Sequence, residues 1–182
     1  MPTSNTPDRI SGSEWATVYG YNLKKWVDYE ADVANPDLGS KNMILMRYAD
    51  VLLMYAEAKI ELGEIDQSVY DAINEVRERP SVEMPPITIG KTQSELREII
   101  RDERAVELAF EGLRIFDINR WEIGEEKAGL IQGMYYISED TGEWEIYDQG
   151  SVANFRPDRD YLWPIPQSEI DINDVLDQNP NY

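Results

Sequence analysis

The run from Asn42 to Leu62, NMILMRYADVLLMYAEAKIEL, constrains this chain more than any other stretch. It is helix-favouring throughout and holds no Pro or Gly before Gly63, so it predicts a helix of roughly 30 Å at 1.5 Å per residue. Arg47, Asp50, Glu57 and Glu61 fall on a single stripe, and most of the remaining surface is apolar. A helix of that kind must be covered on most of its circumference. Arg47, Asp50, Glu57 and Lys59 interrupt it too often for a membrane span. It is therefore expected to be the central, most buried helix of an α-helical packing, with Leu52, Leu53, Ala56 and Ile60 inaccessible to solvent.

Gly63 stops this helix and Ile65–Arg79 predicts a second one, with Asp66 as N-cap, Val69, Ala72, Ile73 and Val76 as its apolar face, and Pro80 as its end. Ala56, Gly63 and Pro80 stand at the separations of a tetratricopeptide hairpin. One such hairpin cannot bury its own face, so the chain is expected to be the C-terminal part of something longer, or a domain whose other helices replace the neighbours. Pro85, Pro86 and Gly90 mark a loop. Thr92 and Glu95 then form a capping box that opens a third helix running to about Glu111, with Leu96, Ile99, Ile100, Val106 and Phe110 along one face. Glu103 lies inside that apolar stripe. Its carboxylate is expected to be partly buried, paired with Arg side chains or loop backbone, and to clamp loop to helix. Gly112 fits a helix C-cap, and Leu113–Trp121 predicts a short fourth helix.

Glycines at 124, 129 and 133 end the helical pattern, and Met134–Tyr147 predicts a β-hairpin across Asp140, Thr141 and Gly142. Residues 148–182 are irregular and rich in Pro and Asn. The Tyr161–Pro166 segment is expected to pack on the helices, because a free tail would expose Trp163 and Ile165. The fold class is thus mostly α: tetratricopeptide-like hairpins with an irregular, loop-rich C-terminal part and a small β-hairpin. Organisation follows as one domain over 1–182, with an aromatic-rich entry (1–41), a helical scaffold (42–121) and an irregular cover (122–182).

Composition narrows the chemistry. The chain has no Cys and no His, which removes disulfides, thiol nucleophiles, the usual general base and the commonest zinc ligands. A net charge of −19 makes phosphate backbones and anionic membranes poor partners, so no nucleic acid is expected. Its first residues are polar and carry no signal peptide or membrane anchor. No phosphate-cradling Gly loop and no catalytic triad pattern occur, and no cofactor is expected. Asp171-Ile172-Asn173-Asp174 lacks the Gly and terminal Glu of a calcium loop, so no metal site is assigned.

Two groups of residues remain as candidate chemistry. Glu103, Glu107 and Glu111 share a helix face near Arg104, Arg114, Asp117 and Arg120. Paired carboxylates can serve as general acid and base, but acidic stripes with interspersed Arg are more often ion-pair networks. Trp15, Tyr19, Tyr21 and Trp26 stand beside Asn and Lys residues. Flat rings pack on pyranose faces while amides and charges bind hydroxyls, so these four are the candidate ligand-binding residues, although rings in such a run more often serve ordinary core packing.

Taken in order, RYADVLLMYAEAKIELG (47–63), AINEVRER (72–79), RDERAVELAFEGLRIFDINRW (101–121), YLWPIP (161–166) and QNPNY (178–182) resemble the C-terminal region of the SusD/RagB family. The resemblance implies a glycan-binding surface lipoprotein of the outer membrane, without catalysis, that passes oligosaccharide to a SusC-like TonB-dependent transporter. It implies membrane attachment only through a lipid anchor, whose Cys is absent from this chain. The matched motifs are scaffold, so no binding residue transfers. The rival readings are a helical-repeat protein-interaction module and a carboxylate-based glycosidase.

Overall fold

The computed structural model describes residues 44–138 and 143–182, together with Lys25 and Asn42. The chain divides into two compact units, Lys41–Asp117 and Met1–Ser40 with Ile118–Tyr182. The four candidate rings Trp15, Tyr19, Tyr21 and Trp26 lie outside the described residues.

The first unit is a helical hairpin with a third helix laid against it. α1 (Tyr48–Leu62), α2 (Gln67–Arg77) and α3 (Gln93–Glu107) are its elements, and α1 packs on both of the others. α1 closes on Gly63, whose φ of 74° is the left-handed conformation that glycine adopts without strain. Asp66 caps α2 by accepting from the Ser68 backbone N–H at 3.0 Å. Thr92 and Glu95 form the reciprocal capping box on α3. Leu53, Ile60, Ile73, Leu96 and Ile100 are fully buried at the junction, with Val69 and Val76 beside them.

Side-chain amides and guanidinium groups tie the intervening loop down. Asn74 on α2 accepts from the Ile87 N–H at 2.7 Å and donates to its carbonyl at 3.1 Å, a one-residue imitation of strand pairing. Arg77 donates to the Pro85 carbonyl at 2.9 Å, and the Lys91 N–H donates to the buried Tyr70 hydroxyl at 3.1 Å. Gln93 reaches back to the Ile60 carbonyl at 2.6 Å and so satisfies an acceptor at the end of α1.

Four expectations need correction here. α1 begins at Tyr48 and not at Asn42, because Arg47 is held extended (φ −138°, ψ 163°) as its N-cap residue. Leu52 is only partly buried, whereas Leu53, Ala56 and Ile60 are fully buried as expected. α3 ends at Glu107, four residues short of Glu111. Phe110 then turns with φ 63° and Gly112 with φ 79°. Val106 and Phe110 stand 77% and 72% exposed, and Glu103 and Glu107 take the inward positions that follow Leu96 and Ile100.

In the second unit, α4 (Arg114–Arg120), which begins in the first, leads to α5 (Gly124–Lys127), β1 (Gly129–Ser138), β2 (Glu143–Ala153) and α6 (Gln167–Ile170). β1 and β2 pair antiparallel, with Met134 opposite Ile146 and Gly133 opposite Tyr147. The expected hairpin is present and longer than Met134–Tyr147 at both ends; its turn lies outside the described residues. Among the described residues, no helix is long and apolar enough to cross a membrane.

Candidate functional site

The helical unit carries six charged residues on the inside: Asp50, Glu57, Glu103, Arg104, Glu107 and Asp117. Arg104, with a side chain 4% exposed, projects from α3 between three carboxylates. It donates through Nε and Nη2 to the two Asp117 oxygens at 3.0 and 3.1 Å, and through Nη1 to Asp50 at 3.0 Å. Glu57 completes the ring at 3.7 Å. Asp50 and Glu57 belong to the polar stripe of α1, so that part of the stripe faces inward, while Glu61 at its end stays exposed. Spacing alone gives this stripe; only its Arg104 partner explains why it can be buried, since a carboxylate leaves water only when paired and hydrogen-bonded.

A second cluster joins the same helices one turn on. Glu107 accepts from both Arg47 and Arg79, and Glu111 takes the Arg47 Nε at 2.9 Å. Burial would lower the Arg47 pKa, but hydrogen bonds to Glu111 and Glu107 outweigh it and hold the guanidinium above its ordinary value. Glu103, 9% exposed, accepts from Arg77. Arg77 also grips the Pro85 carbonyl, so Glu103 does clamp loop to helix, through an arginine of α2. Every carboxylate of the proposed acid/base stripe that is buried here (Glu103, Glu107, Asp117) accepts from at least one guanidinium. Such groups are acceptors already engaged by guanidinium donors, which suits a structural ion network rather than proton transfer to a substrate.

Beside these pairs lies a pocket of about 630 Å³, walled by Tyr48, Leu52, Val76 and Pro80 and bordered by Glu75, Glu78 and Arg79. It opens where α1 begins and α2 ends. Arg47 and Arg79 are legible in the sequence as charges only, and nothing in their spacing announces that they meet over Glu107.

The second unit holds its C-terminal tail by side-chain-to-backbone bonds. Gln178 accepts from the Ile165 N–H and donates to the Ile165 carbonyl, both at 2.8 Å. Asn179 donates to the Trp163 carbonyl at 2.6 Å, Tyr182 to the Leu162 carbonyl at 2.8 Å, and Asn181 to the Asp158 carbonyl at 2.7 Å. The QNPNY end is thus a clasp on the YLWPIP segment. Tyr161 accepts from the Gly124 N–H at 3.0 Å and meets the Phe155 ring edge-on at 4.6 Å. The expectation that this segment packs on the helices and shelters Trp163 is corrected: backbone bonds from the tail and the Gly124 N–H hold it, and Trp163 remains 68% exposed. Among the described residues, no group of three or more His, Cys, Asp or Glu side chains converges as a metal site.

Known proteins match this arrangement. The model of the SusD family matches residues 2–182. SusD-like protein P2 of Formosa agariphila is 38% identical over 149 residues, which is 79% of this chain and 26% of that protein. A SusD-like protein from Bacteroides fragilis superposes with a TM-score of 0.79 at 35% identity, over 96% of this chain and 32% of its own. A SusD-like carbohydrate-binding protein of the same species gives 0.71 at 40% identity, over 89% and 34%. The chain therefore spans about a quarter of the curated relative and a third of the solved structures. A family-model match over residues 2–182 places the chain in the SusD family.

Proposed function

We propose that this chain is part of a non-enzymatic glycan-binding protein at the bacterial cell surface, which delivers oligosaccharide to a TonB-dependent outer-membrane transporter. One observation carries the reading: the 40% identity to a SusD-like carbohydrate-binding protein over 89% of this chain. The Arg-saturated carboxylates support a binding role over hydrolysis, since glycoside cleavage needs two carboxyl groups free to exchange protons across a cleft. A net charge of −19 favours a neutral glycan over a sulfated or uronate polymer, which it would repel at long range. Trp15, Tyr19, Tyr21 and Trp26 remain the rings chosen for stacking.

Titration of neutral and acidic polysaccharides, read by tryptophan fluorescence and by retardation in polysaccharide-containing native gels, tests this reading. A neutral glycan should shift the emission, and Ala at Trp15 and Trp26 together should weaken binding at least tenfold. Retention by no glycan, or release of reducing ends from one, overturns it. Co-isolation of a TonB-dependent transporter from native outer membranes, with loss of the protein on protease treatment of whole cells, tests the partner and the location.

A further inference from the structure

The ribbon of β1 and β2 has two edges, and they are built differently. Among the described residues it is a two-stranded sheet, so the outer edge of each strand lacks a strand partner. Along β2 the ladder is interrupted: Leu130 pairs with Val152 and Gln132 with Asp148, so Ile131 stands against Gln149, Gly150 and Ser151. The same strand carries Glu143, Glu145 and Asp148. Bulges and charged residues are the devices that keep a sheet edge from pairing. β1 uses neither from Gly129 to Tyr136. Its own extra residue, Ile137, comes only at the turn end, and no Asp, Glu, Lys, Arg or Pro occurs in the strand. From Gln132 to Tyr136 the pairing is regular at every residue. In such an antiparallel ladder every second residue turns its N–H and C=O away from the partner strand. A lone hairpin is marginal in water, and a third strand is the addition that makes such a sheet stable.

We infer that the outer edge of β1, centred on Gln132–Tyr136, docks one extended segment of a partner protein, added as a third strand and bearing Lys or Arg at alternate positions. Charge selects that occupant. From Gly129 to Ala153 the ribbon carries Glu139, Asp140, Glu143, Glu145 and Asp148, and no Lys or Arg. A strand laid on β1 lies two strand spacings from β2, about 10 Å, which is close to the Debye length of roughly 8–10 Å. Long basic side chains shorten that gap further. A second copy of this chain is the poorer occupant, because its ribbon brings the same acidic residues and the copy as a whole a net charge of −19. In strand addition the main-chain hydrogen bonds give affinity and alternate side chains give preference, so no deep pocket is needed.

Three short peptides with blocked ends test it: Lys alternating with Val, Glu alternating with Val, and the Lys peptide N-methylated at every residue. Each is titrated onto the 182-residue chain, with binding read by fluorescence anisotropy of the peptide and the site by amide hydrogen exchange in NMR spectra. The Lys peptide is expected to bind at least tenfold more tightly than the Glu peptide. It should also slow exchange at alternate residues of Gln132–Tyr136 at least tenfold, and N-methylation should abolish both effects. Equal binding of the N-methylated peptide means charge attraction without strand pairing and overturns the inference, as does equal binding of the Glu peptide or binding of none. Slow exchange of the outward amides without peptide also overturns it, pointing to a second copy if dilution speeds it and to the chain's own cover if it does not. Gln132→Lys together with Met134→Lys puts the opposite charge on β1 itself and should turn the preference toward the Glu peptide. An unchanged preference would put the binding elsewhere and refute the edge.

Discussion

Replacing Arg104 with Met removes the one cation shared by Asp50, Asp117 and Glu57, at nearly constant side-chain length. The three carboxylates are 5%, 3% and 8% exposed, so water cannot take the place of the guanidinium without opening the helix junction. Breaking a buried ion pair by deleting one partner costs about 3–5 kcal/mol. Three buried carboxylates would lose this guanidinium together, a change worth a large share of the roughly 5–15 kcal/mol that stabilises an ordinary domain. With a urea m-value of about 1.5–2 kcal/mol/M, the midpoint should fall by roughly 1.5–3 M at unchanged m. Arg104→Lys should recover less than half of the loss, because an ammonium cannot span both Asp117 oxygens as the 3.0 and 3.1 Å pair does. Helical ellipticity followed through urea at pH 7 measures all three proteins. A midpoint for Arg104→Met within about 0.3 M of the parent would refute the claim that this charge cluster holds the helices together.

Leu53→Ala, at a fully buried position between the helices, should cost about 2–5 kcal/mol by the same urea assay, and a cost under about 1 would contradict the packing. At Gly124 an added Cβ would lie 2.3 Å from the Phe155 ring, so Gly124→Ala should displace that ring and expose the tail to protease, whereas an unchanged digestion pattern would argue against the contact. Asp66 accepts from Lys59 and Ser68, which hold its carboxyl at about 2, below the ordinary 3.8. Because the folded value is the lower one, the stability it contributes is present above about pH 4 and lost as pH falls toward 2. The deficit of Asp66→Ala should therefore be constant at neutral pH and vanish near pH 2, and a deficit that persists at pH 2 would reject that role. Glu103→Leu should lower the urea midpoint more than Glu103→Gln, since only Gln leaves Arg77 an acceptor.

Much of the helical unit is legible in the sequence because its signals act over three or four residues. Asp66 and the Thr92–Glu95 box bond to backbone within the first turn they open, and Gly63 needs only its own conformational freedom. The β-hairpin is legible for a similar reason, since alternation and a turn signal lie in one short window. The errors all come from partners distant in the chain. α1 starts late because Arg47 is drawn into an extended cap by Glu107 and Glu111, 60 and 64 positions away. α3 stops early where the Glu107 carbonyl is taken by the same guanidinium. Val106 and Phe110 continue the apolar spacing of α3, yet the neighbouring Arg side chains call Glu103 and Glu107 inward in their place.

Ring chemistry shows why a ligand surface is harder to read than a core. Tyr70 and Tyr48 are the same residue on adjoining helices, α2 and α1. Tyr70 is 3% exposed and spends its hydroxyl on the Lys91 N–H; Tyr48 is 63% exposed at the mouth of a pocket. Trp163 sits in a segment expected to pack on the helices and is displayed instead, with Asn179 bonded to its carbonyl and Tyr182 to that of Leu162. A ring is freed for contact with a partner when other groups have taken over the work of holding its segment. In this chain that work falls to arginines on the helices and to amides in the tail, residues whose roles appear only when the fold brings their acceptors to them.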